Sequence, residues 1–188
     1  VSTIATYIRD AIFKRLTTSA FDWKSTRKTP FPTMQIGNAP ALGVFLLRET
    51  YNPDGDANVG PPRYIVDAVF GIAVVDLASK PAVLEGSVDQ AVDNILDTLL
   101  RDHTFIDLRW TDNSQLLDSI PTITRAYNFP NVGDTYYLEC RLQMTIRYFC
   151  YFDPVAPNAL TTVAVHSSKI DNTAASGQAV MTIPLEQR

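Results

Sequence analysis

The chain has 188 residues, 46% of them hydrophobic and 19% charged, with a formal net charge of −4. That is enough apolar material for one sizeable core and suits one domain with an appendage, or two small ones. The acidic balance argues against a nucleic-acid-binding stripe, and no apolar run approaches the ~20 residues needed to span a bilayer. No charged segment followed by an apolar core opens the sequence, so a secretory leader is not expected and synthesis in the cytosol is the default.

Residues 2–16 place Ile4, Ile8, Ala11, Ile12 and Leu16 at spacings of four and three, the stripe of an amphipathic helix, with Ser2 or Thr3 as its cap. Residues 17–40 lose periodicity and read as a surface loop. Lys24, Arg27 and Lys28 stand there among Phe21, Trp23 and Phe31. Residues 41–50 (ALGVFLLRET) form a short, nearly continuous apolar run, as in a strand covered on both faces. After a loop rich in Asn, Asp, Gly and Pro, residues 63–77 (RYIVDAVFGIAVVDL) read as a long mid-sheet strand, antiparallel to the first across a projecting loop.

Residues 79–101 predict a second helix whose stripe is Leu84, Val88, Ala91, Val92, Ile95, Leu96, Leu99 and Leu100. Pro81 suits its first turn, and Ser87 with Gln90 offers an alternative start as a capping box. Asp89, Asp93 and Asp97 line the opposite edge and read as a solvated face. Residues 105–110 suggest a short strand and 120–129 another, followed by the turn-forming PNVGD.

From Leu138 to Phe152 the even positions are Leu138, Cys140, Leu142, Met144, Ile146, Tyr148, Cys150 and Phe152, while Glu139, Arg141, Gln143, Thr145 and Arg147 alternate with them. A period of two means a strand with one face in and one face out. At ~3.3 Å per residue it spans roughly 50 Å, more than a small domain can cover. Phe149 and Tyr151 then break the alternation and leave the outer face apolar near the strand's end. Cys140 and Cys150 fall ~33 Å apart along this strand, too far for a disulfide, and read as buried thiols.

After Asp153 the composition turns small, polar and rich in Thr, Ser and Ala. Residues 160–165 and 179–183 could pair as strands, but without the bulk for a core. The expected fold is therefore α+β: an antiparallel sheet of about four long strands, two helices on one face, and an extended C-terminal tail. The expected division is a core over 1–154, interrupted by the 17–40 insertion, and an extension over 155–188.

Catalytic signatures are missing: no phosphate loop, HExxH, CxxC or GxSxG occurs, and neither His103 nor His166 has a ligand-spaced companion. Asp54, Asp56 and Asn58 alternate like the start of a calcium loop, but Val59 and Ile65 stand where closure needs Gly and Glu. The loop reads better as a tip ordered by a partner. The partner-contact candidates are Asp54, Asp56, Asn58, Phe149 and Tyr151. No enzyme activity, cofactor or metal is expected.

The N-terminal IATYIRDAIFKRL helix, the strands ALGVFLLRE and RYIVDAVFGIAVVD, the helix VDQAVDNILDTLL and a Gly-Asp turn before YYLECRLQMTIRYFC form one ordered layout. That layout, over roughly residues 1–153, resembles the tail-terminator proteins of long-tailed bacteriophages and related gene-transfer particles. The resemblance implies a ring, usually of six copies, that caps the tail tube, ends its growth and docks the head connector. It implies self-association, contacts with tail tube and connector or neck proteins, and sheath or collar as further partners. DNA would pass through without specific binding, with no membrane and no cofactor. The place of action would be the virion tail or neck, assembled in the host cytoplasm. The longer 155–188 segment and the 17–40 insertion depart from the compact family form. Another neck or tail component, a head–tail connector (stopper) or a tube subunit, is the alternative.

Overall fold

A computed structural model describes residues 3–19, 21–30, 38–55, 61–78, 81–129, 131–132, 135–152, 162–167 and 179–184. Chain contacts divide it into two compact units, Val1–Phe152 and Asp153–Arg188.

Helix α1 (Ile4–Thr18) starts where the Thr3 hydroxyl accepts the Thr6 amide at 3.2 Å, and it buries Ala5, Ile8, Ile12 and Leu16. Helix α2 (Pro81–Leu100) starts at the proline, whose missing N–H costs nothing in a first turn. Ser87 lies inside it, donating to the Asp76 carboxylate at 2.6 Å. The predicted stripe of α2 is buried at Leu84, Val88, Ala91, Val92, Ile95 and Leu99, whereas Leu100 is exposed.

The sheet has the order β1-β2-β3-β6-β4: β1 is Ser25–Arg27, β2 Ala41–Pro53, β3 Arg63–Ala78, β4 Ser119–Asn128 and β6 Thr135–Tyr151. The two-residue β5 (Asn131–Val132) pairs with the start of β6. The four long strands β2, β3, β6 and β4 pair antiparallel, in line with the expected α+β layout. Two features differ from that expectation. Within the aperiodic 17–40 stretch, β1 adds to β2 in parallel, so the sheet is mixed. The strand expected at 105–110 is instead the short helix α3 (His103–Ile106), followed by a single bridge between Arg109 and Gln115. The Asp102 carboxylate caps the Thr104 amide at 2.9 Å, and Phe105 and Leu108 then bury at a helical spacing of three.

The helices cover one face of the sheet. Val66, Ala68, Phe70, Ile72 and Val74 of β3 meet Leu138, Cys140, Leu142, Met144, Ile146 and Tyr148 of β6 in one core with α1 and α2. The period-two alternation of β6 therefore holds as far as Tyr148. Beyond it the cover ends: Cys150 is half-buried and Phe152 is 49% exposed.

On the other face, β3 presents Val69, Gly71, Ala73 and Val75 opposite Thr145, Gln143, Arg141 and Glu139. Phe45 lies over Gly71, Arg141 reaches the buried Glu139 at 2.7 Å, and Arg147 grips Asp67 with two nitrogens at 2.8 and 3.2 Å. These long side chains bury the small residues of the central strand without a second layer of helices.

The second unit contributes a two-stranded antiparallel ribbon, β7 (Thr162–Ser167) with β8 (Ala179–Pro184). The pairing suggested by the sequence is present at shifted bounds.

Candidate assembly surface

Three strand ends carry the sheet past the helices. Tyr51 lies near the end of β2 and Tyr64 near the start of β3, while Phe149, Cys150 and Tyr151 close β6 and Phe152 follows it. The pairings Arg63 with Tyr151, Tyr64 with Cys150 and Ile65 with Phe149 hold the ends in register. Phe149 and Tyr151 thus lie on the face without helices, and Tyr64 on the helix side. Tyr64 is the hub of an edge-to-face trio, 6.0 Å from Tyr51 and 5.9 Å from Phe152 between ring centroids. Around it Tyr51, Phe149, Tyr151 and Phe152 are 45, 41, 60 and 49% exposed.

A polar joint marks the boundary between core and tip. Tyr148 is buried, and its hydroxyl donates to the Glu49 carboxylate, which Tyr51 also approaches. Burial, then this hydrogen bond and the carboxylate's charge, hold the Tyr148 phenol far above its ordinary range.

Asp54 stands at the mouth of the tip loop, its amide donating to the Arg63 carbonyl at 3.0 Å, and Gly55 follows in the left-handed region at φ 78°. Asp56 and Asn58 lie outside the described residues. Among the described residues no group of three His, Cys, Asp or Glu side chains could hold a metal.

Sequence reasoning reached Phe149 and Tyr151 but passed over a second exposed group at the opposite end of β6. There Tyr127, Phe129 and Tyr136 are 39, 65 and 44% exposed. Tyr127 is paired with the buried Cys140, and Tyr136 precedes the buried Leu138 by two, so both tyrosines lie on the helix side. The available signal was aromatic residues alternating up to a turn, but an exposed aromatic and a buried one look alike in a strand read alone.

In the aspartate stripe of α2, Asp93 and Asp97 are exposed and Asp89 is half-buried, and the stripe does more than meet water. Asp89 accepts the Tyr127 hydroxyl, and Asp93 accepts Arg125 at 2.9 Å, fastening α2 to the edge strand β4. Asp97 pairs with Arg101 one turn on. The hydrogen bond to Asp89, then burial, push the Tyr127 phenol up to about 12.

The buried Cys140 thiol is pushed up to about 11, chiefly by burial, which keeps it from the reactive thiolate form. An open groove of about 340 Å³ is lined by Ser19, Phe21, Asp22, Gln90, Asn94 and Thr98; its carboxylate, Asp22, is paired with Lys24, and the Ser19 hydroxyl donates to the Leu16 carbonyl at 2.7 Å. Among the described residues no helix is long and apolar enough to cross a membrane.

No family model matches the chain, and no curated protein matches it. Among solved structures it is similar to a chain from the virion of a native gene transfer agent (GTA) particle. That likeness has 14% identity and a TM-score of 0.40, and covers 74% of this chain and 93% of the other.

Proposed function

We propose that this protein is a structural virion subunit of the tail-terminator kind. In this reading it forms a ring, with six copies as the expected number, that caps the tail tube, ends its polymerisation and joins tail to head connector. One observation carries the reading: the sheet runs beyond its helical cover and ends in an exposed aromatic tip. Such a tip exposes apolar surface at a cost to a solitary copy, and that cost falls when another chain covers it. The layout of α1, β2, β3, α2 and the β4–β6 hairpin supports the family resemblance of the sequence. The net charge of −4 suits a channel through which DNA slides without sticking.

In the proposed assembly the ring contacts tube and connector or neck proteins, with sheath or collar as further partners. The 155–188 segment serves inter-subunit or partner contacts. A tube or connector subunit is the second reading, and the two part on growth. A tube subunit polymerises without limit, whereas a terminator stops as a discrete ring. Native mass measurement of the purified chain, free and mixed with tail tube protein, tests this. A discrete multimer that caps tube growth is expected, and a monomer under both conditions would overturn the proposal.

A further inference from the structure

Of the exposed aromatic side chains among the described residues, all but Tyr7 lie at the two ends of the sheet. Tyr51, Phe149, Tyr151 and Phe152 form the tip, while Tyr127, Phe129 and Tyr136 form a base patch where β4 turns into β6. Both groups are anchored to β6, which runs continuously from Thr135 to Tyr151. Tyr136 and Tyr151 are therefore roughly 50 Å apart along one extended strand. Tip and base of the same chain cannot meet.

We infer that the tip of one copy docks on the base patch of a second copy, head to tail. This rests on the assembly reading above and specifies the surfaces it would use. Weighted by exposure, the tip offers about 200 Å² of aromatic surface on each face of the sheet, Phe149 with Tyr151 on one and Tyr51 with Phe152 on the other, and the base about 300 Å². One tip face with the base supplies about 500 Å² of the roughly 900 Å² of apolar area in an interface of ordinary dimensions. Tyr is also among the side chains that most often anchor interfaces.

A symmetric tip-to-tip contact would leave the base patch bare. A head-to-tail contact covers both patches with one interface, and such an interface repeats from copy to copy.

The test uses two variants of the full chain, Phe149→Ser with Tyr151→Ser at the tip and Phe129→Ser with Tyr136→Ser at the base. All four side chains lie at the surface, 41 to 65% exposed, so circular dichroism should match the wild type and melting should fall only modestly. Each variant alone should shift from the multimer mass to the monomer. Mixed in equal amounts, they should give a 1:1 heterodimer, because one intact tip meets one intact base and the chain of contacts stops there. Native mass spectrometry with one variant isotopically labelled reads this directly. Wild-type assembly that survives in either variant, or a mixture that stays monomeric while the wild type assembles, would overturn the inference and leave the assembly reading standing. A wild type that never assembles would remove both.

Discussion

The ring of Phe45 lies directly across Gly71, its partner on the neighbouring strand, where a Cβ would come within 2.8 Å of Phe45 Cζ. The uncovered face of the sheet is closed at this point by a ring resting on bare backbone. Gly71→Ala should displace the ring and cost about 1–3 kcal/mol in urea unfolding. Combined with Phe45→Ala it should cost less than the two changes added separately. Strict additivity in that cycle would show that the close approach has no energetic weight.

Asp102 ties α1 to α3. It accepts the Thr104 hydroxyl at 2.7 Å and Arg15 Nε at 2.7 Å, and these bonds hold its carboxyl down at about 2. A carboxylate held low in the fold adds stability that is present above about pH 4 and drains away as pH falls towards 2. Asp102→Asn should lower the urea midpoint at neutral pH and flatten its fall through that window. Asp10 and Asp112 are also held low, so some slope should remain.

The Tyr127 hydroxyl bond to Asp89 acts at the other end of the scale. With the folded phenol raised to about 12, the protonated ring favours the fold below about pH 10, and that contribution is lost as pH rises towards 12. Tyr127→Phe should therefore weaken the attachment of β4 to α2 slightly at neutral pH and soften alkaline unfolding. Assembly should be unchanged, because the exposed ring stays. Stability–pH curves read beside the multimer mass would separate the two roles.

Every residue of the main core cluster lies within the unit Val1–Phe152. Removing 155–188 should leave a cooperatively melting core, while assembly with itself or with tube protein should be impaired. Wholesale unfolding of the shortened chain would contradict the description of that segment as an extension.

Periodicity reports burial on a regular element, which is why α1, α2, β3 and β6 are legible in the sequence. The β6 stripe from Leu138 to Tyr148 is buried as its alternation implies. Periodicity is silent where a few local bonds decide the path. The three residues of β1 take their parallel partner from a strand about sixteen positions away, a pairing that no local pattern encodes. The turn into α3 depends on one Asp102 side chain reaching the Thr104 amide, against a stretch whose apolar residues suit a strand. The α2 aspartates look like a solvated edge until β4 brings Tyr127 and Arg125 beside them.

By itself the amino-acid order determined which faces are apolar, that β6 is too long for its own core, and that Phe149 and Tyr151 leave its end apolar. Those are properties of one strand or helix and follow from spacing alone. Tertiary structure decided the rest: where the helical cover ends, that Tyr51, Tyr64 and Phe152 stack into a single tip, and that Tyr127, Phe129 and Tyr136 form a second patch at the far end. Exposure of an aromatic ring depends on what packs over it from distant parts of the chain, and no local pattern carries that information.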